Sequence, residues 1–479
     1  MYQHGVYVTE QPTSIKPPVS TAGCLPVIVG TAPIHLAKSP AKPNTPVLCY
    51  SYSEAVEAFG FSDDFKNYTL SEAIYAAFAL YGAGPLVLVN VLDLGKHKTS
   101  KENQTVTIVD HEAVIPDAVL YDTLVVNDNT GSTTLENNTD FVLTRMDDGT
   151  TKITLLQGSH YAATTLTLNY QFVDPTKVTK ADIIGGIDIE TGHNKGLECV
   201  NSVFSKVGLV PGMILAPRFS TDSEVAAVMA AKASKVSGLF PCQAIIDVDT
   251  TTVRKYTDVS EWKNKNGITH SSQIATWPKN TLGERIFDSS VTFMGCQVKL
   301  TADNGDIPFE SPSNKNASID GLCLDDGTEI DMMWEQANYL NSQGIVTVLN
   351  FMGGWKLWGD ETACYPANTD PKDRFIPCRF MFNWDTQTFI QTYFQDIDKP
   401  LLKRRIESIV ESENIRLNGL VAAGVLVAGT IEYRSEDNPT TGIIDGIAKF
   451  HKTFTPPVPM RVIDAVMEFD AEAYKAALG

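Results

Sequence analysis

Cysteine is scarce in this sequence, eight in 479 residues, and no two stand in a CxxC pair. That spacing excludes the dense disulfide frameworks of small secreted domains and the paired-thiolate metal and redox motifs, so reduced, buried, inert thiols are expected. Long apolar runs are missing as well. The longest, 420–431, holds twelve residues with Gly424 and Gly429 inside it, short of the roughly 20 that span a bilayer. Basic residues are in deficit, 38 against 57 acidic ones for a formal net charge of −19, the wrong sign for a protein that follows a phosphate backbone. Neither a transmembrane segment nor a direct nucleic-acid partner is expected. The opening stretch MYQHGVYVTEQPTSIKPP lacks the basic start and apolar centre of a secretory signal, so export by that route is not expected either.

Catalytic signatures are absent in the same way: there is no GxSxG, no Walker A, no GxGxxG behind a strand, no HExxH and no EF-hand loop. His4, His35, His97, His111, His160, His193, His270 and His451 stand singly and read as surface or satisfied core groups. Asp303, Asp306, Asp325 and Asp326 fall in turn sequence without the spaced oxygen ligands and closing Glu of a calcium loop. No catalytic residue, metal or cofactor is expected, and the chain does not read as an enzyme. What is there is globular: 43% hydrophobic and 20% charged residues, with a length that corresponds to about three domains.

The pattern along the chain divides it. Residues 1–20 pair a β-prone run, Gly5, Val6, Tyr7 and Val8, with Pro12, Pro17 and Pro18, and read as an extended arm. Residues 21–95 open an α/β unit. It has a strand at 27–29, a capping box of Ser51 and Glu54, a helix stop at Phe59-Gly60, helical spacing of Leu70, Ile74, Phe78 and Tyr81, and a strand at 86–92. Residues 96–180 turn to Thr-rich alternation, with a hairpin predicted across Asp147, Asp148 and Gly149, and read as an inserted all-β sandwich. Residues 181–345 alternate helices at 195–206, 222–237 and 253–263 with strands at 213–216 and 244–248, which predicts βαβ crossovers and a largely parallel sheet. In 346–455, Trp384 and Phe389 around Asp385 predict a stapled helix running to about 397, a second helix opens at Pro400, and a strand is predicted over 421–432. Residues 456–479 begin with a proline-rich linker, 456–459, and continue as a β-prone run, 461–469.

Two features point to partners. Lys403, Arg404 and Arg405 occupy the first turns of a helix, where the dipole disfavours cations. With Leu402, Ile406, Ile409 and Val410 as a core-facing stripe, that basic cluster is presented outward to an acidic surface or to solvent. The β-prone end segments, Gly5 to Val8 and the run holding Val462, Ile463, Ala465, Met467 and Phe469, cannot satisfy their own backbone groups, so each is expected to join a sheet edge. An edge on another subunit makes a head-to-tail chain of contacts that repeats without closing. Folding back on the same chain is the alternative.

Several segments carry a family likeness in order: Gly5-Val-Tyr-Val8 with Glu10, Leu25-Pro-Val-Ile-Val-Gly30-Thr-Ala32, Phe59-Gly60, and Tyr81-Gly82-Ala-Gly84 before Val87-Leu-Val89. Later come Leu340-Asn341 with Gly344-Ile345, Trp358-Gly359, Arg374-Phe375-Ile376 with Arg379, Asp437-Asn438-Pro439-Thr440, and the Pro456 to Pro459 linker. Together they resemble the contractile tail sheath proteins of myophages and of phage-tail-like bacteriocins. The resemblance implies a mixed α/β multidomain fold, with a conserved α+β core from both chain ends, a β-sandwich insertion, a central subtilisin-like α/β domain without its protease triad, and N- and C-terminal β arms. It implies a homopolymer of stacked hexameric rings around a tail tube, capped by baseplate and tail terminator proteins, that contracts to drive the tube through a cell envelope. The arms would add strands to neighbours, and the helix near Lys403 would touch the tube. Such a subunit would be assembled in the host cytoplasm and would act in a virion tail or a DNA-free bacteriocin particle. Two other classes are weighed beside it: a hydrolase using the subtilisin-like domain, against which the missing nucleophile motif counts, and a surface-binding module using 96–180.

Overall fold

Near-continuous apolar runs such as Pro26–Gly30, Leu86–Asn90 and Gln243–Asp247 are buried along their whole length, as strands covered on both faces must be. The computed structural model describes residues 23–129, 131, 133–146, 149–158 and 160–479. Among them an eight-stranded sheet is built from β1 (Pro26–Gly30), β2 (Val47–Cys49), β3 (Leu86–Asn90), β4 (Met213–Leu215), β5 (Gln243–Asp247), β6 (Gln273–Thr276), β7 (Ile345–Asn350) and β8 (Trp355–Trp358). Its order is β2-β3-β1-β4-β5-β6-β7-β8. The interior pairings are parallel, and one antiparallel strand closes each end, β2 on β3 and β8 on β7.

The parallel centre agrees with the predicted crossovers, but the expected line between 21–95 and 181–345 does not divide the sheet. β1 pairs with β3 on one side and, from Pro26↔Met213 to Ile28↔Leu215, with β4 on the other. The two segments share one core. Strand pairing across nearly 200 residues leaves no local trace, which is why the pattern alone separates them. β7 and β8 carry this sheet beyond 345 as well.

Helix α1 (Ser289–Asp303), which the periodicity does not reveal, packs across β4, β5 and β6. It is buried on nearly every side, so it has no polar face to mark it. Gly295 lets it approach Tyr81 closely: a Cβ there would stand 2.2 Å from the tyrosine ring. The Ser51 cap is present, its side chain accepting from the Glu54 amide, while Glu54 reaches back to the Tyr50 amide. That helix, Tyr52–Phe59, stops at Gly60 with φ 72°. The Leu70 to Tyr81 spacing is realised as Thr69–Ile74 followed by a π-helical turn, Tyr75–Leu80. Of the central helices, 222–237 is Ser223–Ser234 with Asp222 as its cap, whereas 195–206 is mostly a 3-10 run, Gly196–Ser202, and 253–263 begins only at Val259.

Between residues 98 and 173 the described chain forms two small antiparallel sheets, one of four strands and one of three. Both point apolar side chains, among them Ile115, Phe141, Ile153, Leu166 and Leu168, into a cluster separate from the main core. The strands flanking the predicted hairpin, Phe141–Arg145 and Thr151–Leu155, do pair. Asp147 and Asp148, like Gly5 to Val8, lie outside the described residues. All eight cysteines are free and buried, and burial pushes the Cys24 and Cys49 thiols up to about 12.

Candidate assembly interface

The last third of the chain builds a lobe from two helices and a hairpin. α2 (Ile376–Tyr393) and α3 (Lys403–Ala422) pack with β9 (Ala428–Glu432) and β10 (His451–Thr455) around Met381, Trp384, Leu417, Leu420, Val425 and Leu426. Asp385 is not the predicted N-cap. It sits inside α2, because a staple of Trp384 and Phe389 is indistinguishable locally from two turns of a continuing helix. Its charge is met from afar: Arg416 of α3 binds it, and Lys452 of β10 lies at 2.6 Å. Both cations also hold Glu413, each at 2.6 Å, and Tyr393 adds a hydroxyl at 3.4 Å. Two carboxylates and two cations, all largely buried, therefore cross-link α2, α3 and β10. Burial works to raise the Glu413 carboxyl, but Arg416 and Lys452 overcome it and leave the group below its ordinary range.

The predicted strand at 421–432 begins only at Ala428, because α3 runs on to Ala422 with Leu417 and Leu420 buried. β9 and β10 form a two-stranded sheet with Ile431 opposite Lys452 and Thr430 opposite Thr453. Asn438 holds their connection, donating to the Arg434 and Lys449 carbonyls and accepting from the Lys449 amide. A two-stranded sheet is marginal on its own.

The basic cluster is split. Lys403 is the first residue of α3 and its side chain is 89% exposed, 3.6 Å from Glu407. Arg404 is exposed too. Arg405 is committed within the chain, to Asp396 at 2.9 Å and to the Pro400 carbonyl at 3.2 Å. Leu402 does not face the core: it is exposed, as are Phe394 and Ile397 beside it, while Ile406, Ile409 and Val410 are only half-buried. The helix meets the lobe along its later turns and projects with its first ones. The tip thus carries exposed apolar side chains and two exposed cations, Lys403 and Arg404.

The C-terminal segment leaves the body at a fixed point. Arg461 Nη1 lies 2.9 Å from buried Glu361, which Arg374 also holds at 2.6 Å, and Arg461 Nε is 3.6 Å from Asp360. Beyond it, residues 462–479 are exposed throughout, and Val462, Ile463, Ala465, Met467 and Phe469 form no strand within the chain. Phe469 lies against Tyr474 of the terminal helix Ala471–Leu478. Two exposed helical turns are too short to be stable in water by themselves.

The C-terminal ends of parallel strands are where α/β enzymes place their chemistry, and there Asp247 ends β5. Its carboxylate accepts from the Ser290 amide and hydroxyl at 2.8 and 2.6 Å, from Thr276 at 3.0 Å and from Ser220 at 3.2 Å. These donors are hydroxyls and an amide, with no imidazole to take a proton from Ser290, and the group is sealed from solvent. Glu72, Asp288 and Lys279 surround it, with Lys279 held by Asp288 at 2.6 Å and Asp325 at 3.4 Å. Among the described residues no group of three His, Cys, Asp or Glu side chains is placed to hold a metal ion, and no helix is long and apolar enough to cross a membrane.

Burial, followed by the charge of Asp288, pushes the Asp247 carboxyl up to about 6. The folded chain thus keeps a proton that the unfolded chain releases near pH ~4, so stability is expected to fall as pH rises from about 4 to 6. In Asp247→Asn the surrounding hydroxyls can rotate to serve the amide. Thermal unfolding across that range should then show a shallower fall than wild type; an identical slope would remove Asp247 from the account.

No family model matches the chain. The tail sheath protein of Burkholderia phage BcepMu is 27% identical to it over 490 residues, covering 98% of this chain and 97% of that one. The tail sheath protein of Escherichia phage P2 is 21% identical over 294 residues, 59% of this chain and 69% of the relative. Among solved structures, the sheath of an extracellular contractile injection system, PVC, in its contracted state superimposes with a TM-score of 0.58 at 14% identity, over 99% of both chains. The contracted helical sheath of the anti-feeding prophage gives 0.57 at 13% identity, over 98% of both.

Proposed function

We infer that this chain, which belongs to the contractile tail sheath family, is the sheath subunit of a contractile injection system, a structural component of a phage tail or extracellular contractile particle and not an enzyme. It polymerises and joins a baseplate. In our reading the subunits stack as hexameric rings around a tail tube below a terminator protein, after assembly in the host cytoplasm. We also read the body around α1 as subtilisin-like, with segment 96–180 as one further domain and the lobe of α2, α3, β9 and β10 as another. The observation that carries the assembly reading is the combination of an under-sized hairpin, β9–β10, with an arm that is exposed at every residue beyond Arg461. Each copy lacks a strand partner and offers a strand.

Arms shared in this way let subunits rotate and slide during contraction while the mesh stays connected. No nucleotide is needed, because unmade interfaces in the extended polymer store the work and many subunits multiply a modest difference. The tip at Lys403 and Arg404, with Leu402 beside it, is the tube contact; Arg405 holds the tip in shape through Asp396. Lys403→Glu with Arg404→Glu is expected to weaken co-assembly with purified tail tube strongly while sheath-only polymers still form. Co-sedimentation with the tube measures it, and unchanged binding would remove the tip from the interface.

A further inference from the structure

The two edges of the β9–β10 hairpin differ. In an antiparallel pair, backbone groups of successive residues point alternately to the partner strand and to the outer edge. On β9, Ile431 points outward, and a side chain already occupies that position: Asn414 of α3 accepts from the Ile431 amide and donates to the Ile431 carbonyl, both at 2.9 Å. Asn414 thus makes the two hydrogen bonds that a neighbouring strand would make there. On β10 the same alternation turns the amide and carbonyl of Lys452 and Phe454 outward, and among the described residues no strand lies beside them.

The arm matches that vacancy. Residues 462–469 alternate, with Ile463, Ala465, Met467 and Phe469 on one side and Val462, Asp464, Val466 and Glu468 on the other, the pattern of a half-buried strand. On β10, Lys452 and Phe454 face the lobe while Thr453 and Thr455 face solvent. An arm strand in matching orientation lays its wholly apolar row beside Phe454 and leaves the row that holds Asp464 and Glu468 with the two threonines. The arm of the same chain is held off: three prolines follow β10, and Arg461 is fixed on Glu361 and Asp360.

Resting on the arm reading above, we propose that strand addition is one-sided: the C-terminal arm of a second copy joins the β10 edge only, and Asn414 keeps the β9 edge shut. The device serves specificity. A hairpin open on both sides would accept arms in two registers and would also pair edge to edge with other hairpins. One closed edge leaves a single direction of growth.

Introduced cysteines test this in the full-length chain, since the eight native thiols are buried. Single cysteines placed in turn at Val462, Asp464, Val466 and Glu468 are combined with one at Thr455 on β10 or one at Ala428 on β9, both exposed, and polymers are oxidised and run on denaturing gels. Crosslinked multimers are expected with Thr455→Cys and not with Ala428→Cys. Adding Asn414→Ala to the Ala428→Cys chains should make crosslinks appear there. Equal crosslinking at both edges in the wild-type background would overturn one-sided addition while leaving the arm reading intact. A folded Asn414→Ala chain, with its melting temperature near wild type, that gains no β9 crosslink would overturn the role given to Asn414. Absence of crosslinks at either edge would instead sink the arm reading itself and this proposal with it.

Discussion

Ending the chain at Arg461 is expected to leave a folded monomer with the melting temperature of the full-length protein and to abolish ordered tubes. The first half follows from burial. Val462, Val466 and Met467 are 80%, 92% and 94% exposed, and removing side chains that are not buried removes no hydrophobic stabilisation. Arg461, which does contact the body, is retained. The second half follows from connectivity, because without the arm the β10 edge of each hairpin loses the strand proposed to pair with it. Thermal unfolding and electron microscopy of the truncated protein check the two halves separately. Wild-type tubes from this variant would show that the arm does not link subunits.

Glu413→Ala is expected to have the largest effect on stability of any single change in the C-terminal lobe. It leaves Arg416 and Lys452 buried with only Asp385 between them. Removing one partner from a buried ionic cluster costs about 3–5 kcal/mol, because the remaining charge is stranded away from water. The loss should appear as a separate early transition of the lobe in chemical denaturation, since the α/β body has its own core. Glu413→Gln, which keeps an acceptor for Arg416, should lose less. Equal denaturation profiles for Glu413→Ala and wild type would mean that the cluster does not hold α2, α3 and β10 together.

What the sequence discloses is what is decided locally. Ser51 and Glu54 lie three residues apart and announce their helix; Phe59-Gly60 announces its end. The alternation of 141–145 and 151–155 on either side of Asp147, Asp148 and Gly149 announces a hairpin. Errors arise where the deciding partner is distant. Asp385 reads as a cap because Arg416 and Lys452, 31 and 67 residues away, are invisible to a local pattern. The run 421–432 reads as one strand because apolar residues serve a helix end and a strand alike, and only packing places Val421 in α3 and Ile431 in β9. α1 escapes notice because a helix buried all round has no stripe. The sheet that joins β1 to β4 escapes for the same reason as Asp385.

The interface shows the same division. The exposed cations and the arm at 461–469 are legible as charge placed against a helix dipole and as β-prone residues without a partner. The commitment of Arg405 to Asp396, the exposure of Leu402 and the closure of one hairpin edge by Asn414 depend on contacts between separate elements. Asn414 carries no motif; the only hint in the sequence is a polar residue between the apolar positions Val410 and Leu417 on the helix that covers the hairpin.

The most direct test of the account is negative-stain electron microscopy of the full-length protein after concentration. The account predicts hollow, striated tubes of uniform width, formed without nucleotide or added partner. Dispersed monomers at high concentration, persisting when purified tail tube is supplied, would contradict it.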